Sequence, residues 1–111
     1  MASLTPITQP LPVQLAATET TILAAVTYQT LGVTLHLANV TGGAITVTIH
    51  TVQSGDTAAD DNALCKGKSI PANDFLVLNC GNIPAGTVIS GLASSATSIT
   101  ATVLTGVERA P

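Results

Sequence analysis

Apolar residues recur at every second position over most of the chain, in segments rich in Val, Ile and Thr. A period of two is that of a pleated strand with one buried face, and β-branched residues suit such a surface. The alternation predicts strands at 13–17, 21–28, 32–40, 44–53, 63–70, 75–80, 87–93 and 98–107, with Gly, Pro, Asn and Asp gathered between them. The stretch 11–25 imitates a helical face, but its β-branched residues and flanking prolines oppose one. The expected fold is all-β, a single antiparallel β-sandwich of seven to eight short strands, wound in the jelly-roll or immunoglobulin manner.

Two segments look like hairpins. VTLHLANV (33–40) and AITVTIH (44–50) flank Thr41, Gly42 and Gly43, and the glycines can supply the positive φ of a tight turn. In a consistent register Val33, Leu35, Leu37, Ile45, Val47 and Ile49 face the core. Thr34, His36, Thr46, Thr48 and His50 then share the outer face, a candidate interface. The second hairpin turns at 71–74, where Pro71 presets φ and Asn73 or Asp74 can close the turn. If Ile70 pairs with Phe75, counting outward places Cys65 opposite Cys80, within reach of a disulfide. The alternative is a pair of small buried hydrophobes kept reduced in a cytosol.

Residues 1–12 stand apart, because Pro6, Pro10 and Pro12 remove ladder donors while Leu4, Ile7 and Leu11 keep apolar surface to bury. They are expected to form an extended, partner-binding arm, with the sandwich domain spanning 13–111.

Composition changes the picture in one respect. Of 111 residues 46% are hydrophobic and only 8% charged, where ordinary soluble domains carry about 25%. A surface so poor in charge is a solubility hazard unless it packs against partners, which favours a member of an assembly. A chain of this size supports one core, not two. A net charge of -3 with three basic residues, Lys66, Lys68 and Arg109, does not suit direct nucleic-acid binding. Polar residues interrupt every apolar run, so no membrane span is expected. The first residues lack the basic start of a secretory signal, which suggests a route through the cytoplasm.

Candidate chemistry is thin. His36 and His50 on one face could begin a metal site, but no nearby Cys, Asp or Glu completes it, so solvent-facing or interface histidines are expected. The loop with Asp56, Asp60 and Asp61 offers oxygen ligands of the kind Ca²⁺ prefers, without the order of an EF-hand; a solvated turn is the simpler reading. Asn39-Val40-Thr41 matches a glycosylation acceptor. The carboxylates Glu19, Asp74 and Glu108 are those a glycoside-hydrolysing pair would draw on. No nucleophile elbow, zinc-protease helix or phosphate-binding glycine loop is present, so the chain is expected to be non-enzymatic and to need no cofactor.

The segments SGDTAADDNAL (54–64), IPANDFLVL (70–78), GNIPAGTVI (81–89) and the closing GVE (106–108) together resemble small β-sandwich virion proteins of tailed bacteriophages. The resemblance covers about residues 20–108 and rests mostly on turn chemistry; the cysteines and the proline-rich start lie outside it. It implies a structural subunit of the virion, foremost a capsid decoration or cement protein binding the major capsid protein, made in the host cytoplasm. A neck, tail or fibre-associated subunit, or a host-surface binding module, is the alternative. The implied unit is a homo-oligomer, a trimer first.

Overall fold

The computed structural model describes residues 3–110; residues 1, 2 and 111, which the expected arm and sandwich also include, lie outside the described residues. Nine strands form: β1 (Ser3–Pro6), β2 (Val13–Gln14), β3 (Thr20–Leu23), β4 (Gln29–Asn39), β5 (Ile45–Val52), β6 (Ala63–Ile70), β7 (Phe75–Ile83), β8 (Val88–Ala93) and β9 (Ile99–Ala110). A single 3₁₀ turn at Asp60–Asn62 is the one helical element among the described residues. All pairings are antiparallel. One sheet runs β1-β9-β4-β7, with β2 also on β9, and the other runs β3-β8-β5-β6.

This order is that of a jelly roll. Taking β1 and β2 as one interrupted first strand, both on β9, each successive strand changes sheet except at the β5–β6 hairpin. Two Greek keys wound in this way close eight strands into a double layer. An immunoglobulin sandwich has a different winding, so the structure decides between the two expected patterns.

The alternation of the sequence sets which side chains enter the layer between the sheets. Val33, Leu35 and Leu37 of β4 and Val47 and Ile49 of β5 are all buried, as are Ile89, Ile99 and Val103. The expected hairpins, however, are not hairpins. Residues 40–44 carry the chain from β4 in one sheet to β5 in the other, and 71–74 carry it from β6 to β7. β4 pairs instead with β7 and β9, and β5 with β6 and β8. The two apolar rows therefore face each other across the core rather than lying side by side in one sheet, which buries both at once.

Buried Asn39 joins these two crossings. Its amide nitrogen lies 2.8 Å from the Gly43 carbonyl, 2.9 Å from that of Ile70 and 3.1 Å from that of Pro71. Its carbonyl oxygen accepts from the backbone and hydroxyl of Thr41. At 2% exposure Asn39 is closed to glycosylation in the folded chain.

Candidate functional site

The outer face of the β1-β9-β4-β7 sheet is the part of the surface least suited to water. Its four long-path strands contain no Asp, Glu, Lys or Arg except Glu108 and Arg109 near the end of β9. Across the middle of the face Val77 of β7 lies opposite His36 of β4, and His36 opposite Thr102 of β9. One pair further on, Phe75, Ala38, Thr100 and Gln14 form a second row through β7, β4, β9 and β2. Phe75 is 57% exposed and Val77 51%, and Leu104 of β9 remains 45% exposed. The His36 and Phe75 rings stack with centroids 4.9 Å apart and planes inclined by 22°. Stacking fixes both rings and leaves the outer side of Phe75 as a rigid apolar contact.

The candidate face of His36, Thr46, Thr48 and His50 is split by the winding. His36 belongs to the uncharged sheet, whereas Thr46, Thr48 and His50 lie on β5 in the other sheet. Thr48 and His50 are also already engaged. The Thr48 hydroxyl accepts the Gly67 N–H at 3.0 Å, and His50 is only 6% exposed beneath Glu19. With Nδ1 as the protonated nitrogen, His50 donates to Glu19 Oε1 at 2.7 Å, and Ser90 Oγ donates to the same oxygen at 2.6 Å.

Serine, histidine and carboxylate thus converge, a grouping that spacing along the sequence conceals. Two clues existed: His50 and Ser90 sit on strands of matching alternation, and Glu19 precedes a strand. Only the β5–β8 register makes the first two direct neighbours. The chemistry is that of a clamp. A nucleophilic serine needs its proton held by the imidazole, but here both donors are spent on one carboxylate oxygen and Ser90 is buried. The cluster ties the segment before β3 across the outer face of β5 and β8.

Of the other carboxylates, Asp74 lies in the β6–β7 turn while Glu108 pairs with Thr5 and Thr30 at the far end of β4, so no glycosidase pair forms. In the acidic loop, Asp60 meets Lys66 at 2.9 Å and Asp56 accepts the Thr57 N–H. Asn62 closes this loop by accepting from Ala59 and donating to the Thr57 carbonyl. Among the described residues no three of His, Cys, Asp or Glu converge to hold a metal ion.

The cysteines are not cross-strand neighbours. Ile70 pairs with Ile45 and Phe75 with Ala38, so the counting that placed Cys65 beside Cys80 fails with the hairpin it assumed. Both thiols nevertheless turn inward, free and half-buried, from the outermost strands of the two sheets, and both pack on the core. Burial raises Cys65, an effect opposed by the backbone at Ile49 and by the Lys68 charge. Burial and then the charge of Cys65 push Cys80 up to about 12.

The N-terminal segment lies along β9. β1 pairs with residues 107–110 and β2 with residues 100–101, so it completes a sheet edge where an extended arm was expected. Proline tolerates this position because an edge strand leaves one side of its ladder unpaired. Leu4 is 62% and Leu11 86% exposed, and Pro6 and Pro12 are exposed too. Pro10 is half-buried. Ile7 is the anchor: its N–H donates to the Gly106 carbonyl at 3.0 Å, and its Cδ1 lies 2.8 Å from where a Cβ on Gly106 would stand. Beside it, Pro6, Gln9 and residues 103–107 line an apolar cleft of ≈ 300 Å³.

No protein-family model matches the chain, and no curated protein matches it. Among solved structures, a chain from the structure of infectious bursal disease virus Gx strain is similar at 15% identity and a TM-score of 0.48. The match covers 98% of the present chain, which spans 31% of that longer one. Likeness at this level carries over neither activity nor partner.

Proposed function

We propose that the protein is a non-enzymatic structural subunit of a bacteriophage virion, a capsid decoration protein that lays the outer face of its β1-β9-β4-β7 sheet on the major capsid protein. The observation that carries this reading is the nearly uncharged face itself, with Phe75, Val77 and Leu104 held outward on the sheet and Glu108 and Arg109 confined to one end of β9. Apolar surface rimmed by Thr and Asn is what a partner protein covers, and it does not suit nucleic acid or a small charged substrate. The jelly-roll winding recurs in viral shell domains, and the turn motifs at 54–64, 70–78 and 81–89 resemble small phage virion proteins; both support a virion role.

The test is reconstitution on shells stripped of the protein. Wild type should bind at many copies per particle, as one repeated shell site requires, and as a trimer if it sits on three-fold junctions. Phe75→Asp with Val77→Asp should abolish binding while leaving the melting temperature nearly unchanged, because neither side chain is in the core. Binding by the double variant equal to wild type, or absence of the chain from the shell, would overturn the proposal. A stoichiometry of one small ring per particle would reassign it to the neck or tail.

A further inference from the structure

We infer that Cys65 and Cys80 form an intramolecular disulfide that staples the two sheets together along their open β6/β7 edge. The jelly roll places β6 last in one sheet and β7 last in the other, joined by the short 71–74 crossing, so the two edge strands lie over one another. Cys65 pairs with Ile49 of β5, while Cys80 lies between Asn79 and Gly81, which pair with Thr34 and Val33 of β4. Ile49 and Val33 are core residues, and each thiol packs on the same core from its own side. The chain has two cysteines, so a single intramolecular pairing exists.

Cys65 is the less buried of the two and the better placed to ionise, with the Lys68 charge acting on it. This assigns an order to the reaction. With a low-molecular-weight disulfide such as oxidised glutathione as oxidant, Cys65 loses its proton to water and its thiolate attacks one sulfur, expelling one glutathione thiolate. Cys80, once deprotonated, attacks the sulfur of Cys65 in the mixed disulfide and expels the second. Two thiols become one disulfide, and one oxidant becomes two molecules of glutathione. Because burial raises both cysteines, few thiolates exist at neutral pH, so bond formation should be slow in the folded protein and faster at alkaline pH.

The experiment incubates the intact, folded protein with oxidised glutathione and maps its peptides without reduction, alongside Cys65→Ala and Cys80→Ala. The expected result is a Cys65–Cys80 linked peptide in wild type and a stable glutathione adduct on Cys65 in Cys80→Ala. Cys65→Ala should react more slowly. Oxidation should raise the melting temperature by roughly 10 °C, since the bond closes a loop of about 15 residues in the unfolded chain. Circular dichroism before and after oxidation verifies that the protein stays folded. If an alanine variant does not fold, the wild-type peptide map and melt still decide. Two thiols that remain alkylatable, a disulfide between chains, or a linked protein with unchanged melting temperature would each overturn the inference.

Discussion

At the scale of single residues, polar side chains inside the fold matter more than their number suggests. Asn39 ties the ends of two inter-sheet crossings, and no other side chain of its size offers donors and an acceptor at once. Asn39→Ala should therefore cost about 2 kcal/mol, and Asn39→Asp more, because a carboxylate would face three carbonyl oxygens. Urea unfolding at neutral pH measures both. Thr87 is the opposite case: its buried hydroxyl has no hydrogen-bond partner. Thr87→Val removes that unpaired group at nearly constant shape and should stabilise by about 1 kcal/mol, read as a shift in urea midpoint at unchanged slope. Glu19 was legible in the sequence only as a loop carboxylate. Its role as acceptor for both His50 and Ser90 depends on which strand lies beside β5, and no local pattern states that.

At the scale of elements, alternation places the later strands well but overextends the early ones. The expected 13–17 and 21–28 shorten to β2 and β3, and the strand β1 falls in the expected arm. The expected strand at 63–70 coincides with β6, and those at 44–53 and 87–93 differ from β5 and β8 by a residue at one or both ends. Packing between strands adds a constraint that alternation does not contain. A Cβ at Gly91 in β8 would stand 2.6 Å from Ile49 Cδ1 and 2.7 Å from the Thr48 carbonyl oxygen. Gly91→Ala should destabilise by about 1–3 kcal/mol, whereas Gly42→Ala in the β4–β5 crossing, with open space around it, should stay within about 0.5 kcal/mol. Thermal melts of the two variants make the comparison. For the N-terminal segment, all of β1 is exposed while Ile7 packs on the core. A chain lacking residues 3–6 should thus still unfold cooperatively. Extending the deletion through Ile7 should lower the melting temperature further by several degrees, because the apolar slot over Gly106 is emptied.

At the scale of the whole molecule, the few charges are unevenly placed. Glu19, Asp56, Asp60, Asp61, Lys66 and Lys68 precede or belong to the β3-β8-β5-β6 sheet or its β5–β6 loop, which leaves the opposite face nearly bare. If that face binds the shell, affinity should change little as salt is raised from about 0.1 M to about 1 M, because no ion pair is available to screen. Binding isotherms at the two concentrations test it, and a steep loss of affinity would point to the charged sheet instead.

The sequence by itself determined that the chain is all-β, roughly where the strands from β4 onward run and which of their apolar side chains turn inward, because the strand's period of two is a local property of the backbone. It did not determine which strands pair. A short connection such as 40–44 or 71–74 can return the chain within its sheet or carry it to the other, and its residues suit both. The tertiary structure decided for the crossing, which packs the apolar rows of β4 and β5 against each other from opposite sheets. That one decision separated His36 from His50, brought Glu19 and Ser90 to His50, and set Cys65 and Cys80 on facing edges.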